Sequence, residues 1–262
     1  LMIVTYGALY RLVNSRLGHL CRSMQQNEEL ASSIGVNIAY IRIVIFAISS
    51  FFGGIGGAMF GSIAQSVYPS SFQVADSVNF MLNCFLGGLG YVFRPMLGTL
   101  VLYFGYLQVT GNFHVVVAGE FYRSNQPTAE RLKSYKRKDG IRSVLNLRGA
   151  HPGQAWYDEE KTAAERLGMK LVDFKMSDHE VLSPARIAAL EEVMADAPKP
   201  LLVHCKAGAD RTGLAAALYL THQKKRAPSE AGWQLSLLYG HVGVPRISRA
   251  WPMDETWIAV NS

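Results

Sequence analysis

The first 108 residues contain no lysine, and only three acidic residues, Glu28, Glu29 and Asp76, beside five arginines. A stretch so poor in charge lacks the composition of a soluble domain. The rest of the chain holds 21 of the 26 basic and 17 of the 20 acidic residues, so the net charge of +6 averages two unlike parts. Cysteine is scarce too. The three residues, at positions 21, 84 and 205, form no CxxC pair, which argues against a disulfide framework and a structural zinc site. No run of like charge or basic-aromatic stripe points to nucleic acid. There is no Gly/Ser-rich or Pro-rich linker, no low-complexity tract and no internal repeat. The chain opens at Leu1 without the charged start and small-residue cleavage site of a signal peptide, and the expectation is of a truncated beginning.

What the first part does contain is apolar length. Ile38 to Gln65, IAYIRIVIFAISSFFGGIGGAMFGSIAQ, carries the single charge of Arg42, and about 20 apolar residues cross a bilayer as a helix. Its small residues Gly53, Gly54, Gly56, Gly57, Ala58 and Gly61 allow close helix packing. Val78 to Tyr106 is apolar again but broken by Gly87-Gly88, Gly90 and Arg94-Pro95, so it reads as one broken span or two short halves. Residues 1–13 look like the tail of another span. The expectation is an all-α membrane segment of two to four helices over residues 1–108. Arg11, Arg16 and Arg22 place the first loop in the cytoplasm, and the loop near Gln65–Asp76, without Lys or Arg, outside.

The stretches SRLGHLCRSMQQNEELASSIGVNIA, FAISSFFGGIGGAMFG and LGGLGYVFRPMLGTLV resemble the end of the inner-membrane permease subunit of branched-chain amino-acid ABC transporters. That resemblance implies that Asn27, Glu28, Glu29, Ala31 and Gly35 lie in the loop that docks on the ATPase subunit. The family's permease has many more spans than this chain, so the part is expected to be an anchor or fusion remnant and not a working transporter.

From Asn112 the pattern changes. Val115–Val117, Ser143–Leu147, Leu171–Phe174 and Leu201–His204 are predicted strands. Thr128–Lys138, Tyr157–Leu167, Ser183–Asp196 and Thr212–Lys224 are predicted helices, with Ser183-Pro184 a capping start. Such alternation implies an α/β domain, a largely parallel sheet flanked by helices, over residues 109–262. Roughly 150 residues bury a sufficient core alone.

The chemistry sits in Leu201-Leu-Val-His-Cys-Lys-Ala-Gly-Ala-Asp-Arg-Thr-Gly213: an apolar strand, a short loop, then a helix opening near Thr212. Successive loop N–H groups make a concave anion nest, and the helix start adds its positive end. Gly208 lets the backbone turn without a Cβ. Arg211 offers a planar fork to two phosphate oxygens. Cys205 lies at the centre of that field, which favours the nucleophilic thiolate. Thr212 is placed to hydrogen-bond the sulfur, and His204 to orient the loop and not to ligate metal.

This HCxxGxxRT run is similar to the signature loop of the protein tyrosine and dual-specificity phosphatase superfamily, and GEFYRSNQPTAERL and IRSVLNLRG resemble the opening of small bacterial members. The resemblance covers about Phe113 to Trp257. It implies a phospho-cysteine intermediate, Cys205 as nucleophile, Arg211 as clamp, and the amides of Lys206, Ala207, Gly208, Ala209 and Asp210 around the phosphate. It implies no cofactor and no metal. Departure of the leaving group needs a proton donor. In this family that donor follows the preceding strand, which selects Asp178 within Leu171–Glu180, with Glu180 and His179 as fallbacks, Asp173 as structural and Asp210 as an alternative inside the loop. Arg148 and the loop GAHPGQAWYDEE are placed to shape the entrance, or to serve structure alone. Lys206 resembles the basic loops of phosphoinositide phosphatases.

The leading expectation is therefore a phosphatase of the tyrosine or dual-specificity type, tethered to the inner membrane of a bacterium and facing the reducing cytoplasm. Its partners would be a phosphorylated protein or small phosphate-ester substrate and the lipid bilayer, with no nucleic acid. Two other readings stay open at this point: a permease fragment with a phosphatase-like appendage, which would travel with an ABC ATPase subunit, and a phosphate-binding module without turnover.

Overall fold

A computed structural model describes residues 2–64, positions 78, 81, 82 and 85, and residues 94–261. The chain forms two compact units, Leu1–Leu102 and Tyr103–Ser262; the composition break near residue 108 falls a few residues later.

In the first unit, α1 (Met2–Val13) leads into α2 (Arg16–Gln26), α3 (Glu28–Ser33) and α4 (Ile38–Ala64). The breaks between them are capped. Ser15 Oγ accepts from the Gly18 N–H at the start of α2, and Asn27 Oδ1 from the Leu30 N–H at the start of α3. Met24, Ala31 and Ile41 pack together where α2, α3 and α4 meet. Away from that contact several large apolar side chains among the described residues stay exposed. Ile43, Phe46 and Phe51 are each more than 60% exposed on α4. Among the described residues one helix, over Ile38–Ala58, is long and apolar enough to cross a membrane, with a mean hydropathy of 1.9. The expected crossings within 65–93 lie outside the described residues, apart from four isolated helical positions. Of the two to four membrane helices expected, one is found among the described residues, and Leu97–Thr110 is a shorter apolar helix.

The second unit begins inside α5 (Arg94–Thr110) and carries a mixed sheet flanked by helices. Its strands are β1 (His114–Val117), β2 (Phe121–Ser124), β3 (Ser143–Asn146), β4 (Lys170–Asp173) and β5 (Leu201–His204), in the order β1-β2-β5-β3-β4. Three pairings are parallel, and β1 joins β2 antiparallel at the edge. The central strands β2, β3 and β5 are buried along their whole length, as strands covered on both faces must be. Strand β2 was not among the predicted strands. Its sequence, FYRS, ends in an arginine and a serine, which a buried strand holds only when both find partners.

The helices are α6 (Ala129–Asp139), α7 (Ala155–Arg166), α8 (Pro184–Asp196), α9 (Asp210–Leu218), the single turn α10 (Pro228–Ala231) and α11 (Trp251–Asn261). Thr128 and Ser183 cap α6 and α8 through their hydroxyls. Helix α9 opens at Asp210, two residues before the predicted start, and ends in a π-helical turn over Tyr219–Gln223. One core cluster joins Phe121, Leu145, Leu201 and Val203 of the sheet to Leu190 and Met194 of α8 and Leu214 and Leu218 of α9. The other face packs Val144 and Leu202 on Leu132 and Tyr135 of α6 and Ala163 and Ala164 of α7.

The last turns of α5 are part of this unit. Leu107 is 5% exposed, and Tyr103 Oη donates to the Leu238 carbonyl at 2.5 Å. Asn125 donates through Nδ2 to the Gln108 carbonyl at 3.1 Å and through its N–H to the Gly111 carbonyl at 2.8 Å. Arg131 caps the carbonyl of Val109. A fragment starting at Tyr103 is therefore expected to unfold at higher urea than one starting at Phe113. Within the longer fragment Leu107→Ala should cost about 2–5 kcal/mol, the range for a buried leucine. Equal urea midpoints would show that the helix end merely lies on the surface.

Candidate active site

Strand β5 ends at His204, and Cys205 to Ala209 form a loop that closes on the start of α9. What shapes this loop is the direction of its carbonyls. Lys206 O accepts from the Gln126 N–H at 3.3 Å, and Ala207 O from Asn112 Nδ2 at 3.0 Å. Gly208 O and Ala209 O both accept from Arg123 Nη2, at 2.7 and 3.3 Å. Four successive carbonyls are thus held on the outer side. The Gly208 N–H turns the other way and donates to Cys205 Sγ at 3.2 Å. Gly208 has φ +72°, and a Cβ there would stand 2.6 Å from the Ser124 carbonyl, so the position admits glycine alone.

Arg123 is the largest fully buried side chain of the unit. Besides the two loop carbonyls it donates through Nη1 to Gln234 O and Oε1, at 2.9 and 2.7 Å, and it lies 4.0 Å from the centre of the Tyr239 ring. Burial pushes its guanidinium down to about 10, with Tyr239, Cys205 and Asp210 acting the other way, so it remains a cation behind the loop. Asn112, 1% exposed and held at φ +46°, also donates to Tyr239 O at 2.8 Å. An asparagine tolerates this left-handed conformation better than other side chains. Sequence reasoning assigned no role to Arg123, Asn112, Glu160 or His241. The one signal for the first was a charged residue inside an otherwise strand-like run.

Cys205 is 2% exposed at the base of the loop. Arg211 stands on the first turn of α9, and its Nη1 donates to the carbonyls of Met176 at 3.2 Å and Leu147 at 3.5 Å. Its Nε and the hydroxyl of Thr212 are buried without a partner among the described residues. His204 Nε2 lies 2.6 Å from Glu160 Oε1, with both side chains fully buried. His204 Nδ1 is 3.4 Å from the Cys205 carbonyl.

The candidate acids separate by their partners. Asp178 Oδ2 is 3.9 Å from Arg211 Nη2, and Oδ1 is 2.7 Å from His179 Nδ1. Burial works against its charge, but Arg211 and His179 outweigh burial and hold the carboxyl below the usual range. Asp173 is occupied by Asn146 Nδ2 at 2.8 Å and Tyr157 Oη at 2.6 Å. Asp210 Oδ1 faces His241 Nδ1 at 2.7 Å, and the other nitrogen of that ring faces Asp254 Oδ2 of α11 at 2.9 Å. Burial alone would lower the affinity of His241 for its proton; the two carboxylates reverse that and raise its pKa to about 9. Glu180 is exposed, and His179 lies 3.4 Å from Arg249 Nε. Lys206 is also exposed. Gly232–Gln234 and Leu237–Tyr239 form two short 3-10 turns. Among the described residues no three His, Cys, Asp or Glu side chains gather to hold a metal ion.

Residues 112–239 match the family described as DSP-PTPase phosphatase fused to NAD+ kinase. Residues 1–123 match the branched-chain amino acid transport system permease component. The LivM permease protein of Escherichia coli K12 is 28% identical over 102 residues, which are 39% of this chain and 24% of LivM. A beta-lactamase hydrolase-like protein of Xylella fastidiosa is 34% identical over 87 residues, 32% of this chain and 20% of that protein. The chain thus spans between 20% and 28% of the length of the curated relatives it matches. The crystal structure of P. aeruginosa TpbA aligns with a TM-score of 0.42 and 19% identity, over 59% of this chain and 93% of that one. A permease-like first part is joined to a dual-specificity-phosphatase-like second part.

Two outcomes test this geometry. Gly208→Ala should weaken vanadate binding about 100-fold or more in a folded protein, since an ångström of misplacement in such a site has that effect; unchanged binding would show that the loop is not shaped as described. His241 holds its proton more tightly in the folded chain, with a pKa of about 9 against about 6.5 unfolded, so its contribution is complete below about 6.5 and is lost as pH rises through about 9. The difference in thermal midpoint between wild type and His241→Gln should accordingly narrow between pH 6 and pH 10. A constant difference would contradict the ion-pair assignment.

Proposed function

We propose that the second unit hydrolyses phosphate monoesters through a phospho-cysteine intermediate. The observation that carries this is the loop itself: Cys205 Sγ accepts from the Gly208 N–H at the foot of a turn whose four carbonyls are tied to donors outside it, and Arg211 follows on the first turn of α9. In the first step the Cys205 thiolate attacks phosphorus, an S–P bond forms, and the P–O bond to the leaving group breaks. Asp178 gives its proton to the departing oxygen. In the second step Asp178 takes a proton from water, the water oxygen attacks phosphorus, and the S–P bond breaks to release phosphate and thiolate. The Thr212 hydroxyl donates to sulfur as it departs. Arg211 and the amides of Lys206 to Asp210 neutralise the equatorial oxygens.

Against the effect of burial, Arg211 and His179 hold the Asp178 carboxyl below its usual range. A bound phosphate dianion engages Arg211 and sets negative charge beside the carboxylate, and both changes favour its protonated form. His204 and Glu160 orient the loop, and Asp210 is committed to His241 and not to acid catalysis. The substrate class is a phosphoprotein or a small phosphate ester. The apolar helix at Ile38–Ala58 supports a membrane tether, and the reactive thiolate supports a cytoplasmic placement of the phosphatase unit.

Wild-type chain should hydrolyse p-nitrophenyl phosphate in EDTA, with inhibition by vanadate, and Cys205→Ser should be inactive. Asp178→Asn should lower kcat by about 10²–10⁴-fold on an alkyl phosphate, and by less on the nitrophenyl ester, whose leaving group needs no proton. Equal losses on both esters would remove Asp178 from the acid role, and chelator-sensitive activity would overturn the mechanism.

A further inference from the structure

Arg148 is held near the phosphate loop by contacts that, among the described residues, include no ion pair with a carboxylate. Its backbone N–H donates to Asn146 Oδ1 at 2.9 Å, and its guanidinium lies 3.2 Å from the centre of the Trp156 ring. Nη1 donates to Gln126 Oε1 at 2.8 Å. Gln126 is itself fixed to the site, through its N–H to the Lys206 carbonyl and through Nε2 to Glu160 Oε2 at 2.7 Å. The stacked ring and the amide thus fix one face and one nitrogen of the fork. Among the described residues no carboxylate forms an ion pair with it.

Arg123 and Arg211 do not share this condition. Arg123 spends its donors on loop and Gln234 carbonyls, and Arg211 has Asp178 beside it. Arg148 follows Leu147, whose carbonyl accepts from Arg211, and its guanidinium is near enough to Arg211 for the two charges to repel. Burial and then the charge of Arg211 hold Arg148 below the ordinary arginine range, while Glu160 and Cys205 act in the opposite sense. Two partly desolvated cations close together repel, and an anion bridging them relieves that repulsion. A phosphate over Cys205 occupies Arg211, and the fork of Arg148 is left for a neighbouring anion.

Resting on the phosphatase reading for the scissile group, we infer that Arg148 is a second anion-binding residue, which holds a further phosphoryl group of the substrate beside the one over Cys205. The preferred substrates would carry two phosphoryl groups close together, as a diphosphate or as neighbouring monoesters. Trp156 and Gln126 are its positioning residues.

The full-length chain in detergent micelles, in the Cys205→Ser form, should bind pyrophosphate at least about tenfold more tightly than orthophosphate by calorimetry, the margin of one charged hydrogen-bonded contact. Arg148→Gln should abolish that margin, and Arg148→Lys should keep part of it. A margin that survives in Arg148→Gln, or no margin in the parent, would overturn the inference and leave Arg148 as a prop for the 149–154 loop. Hydrolysis of p-nitrophenyl phosphate by the chain with Cys205 intact separates the two readings. Activity without an Arg148-dependent margin removes only the subsite, whereas the margin without activity removes only the phosphatase.

Discussion

Everything at the candidate site depends on how the carbonyls of Lys206 to Ala209 are held. A peptide cannot aim its N–H groups at a common centre unless the opposite groups find partners outside, and the chain supplies those partners from four separate places. Arg123 is the costliest. A guanidinium with no solvent contact is tolerated because Nη1 and Nη2 each donate twice and an aromatic face covers it. Its positive charge also lies behind the loop, on the side opposite the anion it would help to bind. The His204–Glu160 contact and the triad Asp210–His241–Asp254 then fix the two ends of the loop, one at the strand and one at the helix.

The fold explains why these partners converge. β5 sits at the middle of the sheet, so the loop that follows it is flanked by the ends of β2 and β3 and by the segments after them. β2 brings Arg123, the turn after it brings Gln126, and β3 brings Leu147 and Arg148. Binding in crevices at the carboxyl ends of strands is the usual consequence of such open parallel sheets.

Much of this was legible in the sequence. The run from Leu201 to Gly213 declares a strand, a glycine turn and a helix with Cys205 and Arg211 at fixed places, and the alternation of apolar runs declares most strands and helices. Three features were not legible, each for the same reason. Arg123 meets Gln234, Asn112 meets Ala207, and His241 meets Asp210 across 111, 95 and 31 residues. No local pattern encodes a contact at that separation. The last turns of α5 were hidden differently: their apolar residues read as the continuation of a membrane segment, while Leu107 in fact faces the phosphatase-like core. Residues 1–123 and 112–239 overlap in their family matches, which fits a join made within this shared stretch.

The central claim is a covalent one, that phosphate passes through the sulfur of Cys205. It is tested most directly by mixing the chain with p-nitrophenyl phosphate, quenching in acid within milliseconds and locating phosphate by mass spectrometry of the digested chain. The account expects a phosphate adduct on the peptide that contains Cys205, absent in Cys205→Ser. Steady release of nitrophenol with no adduct on that peptide at any quench time, or an adduct on another residue, would contradict it.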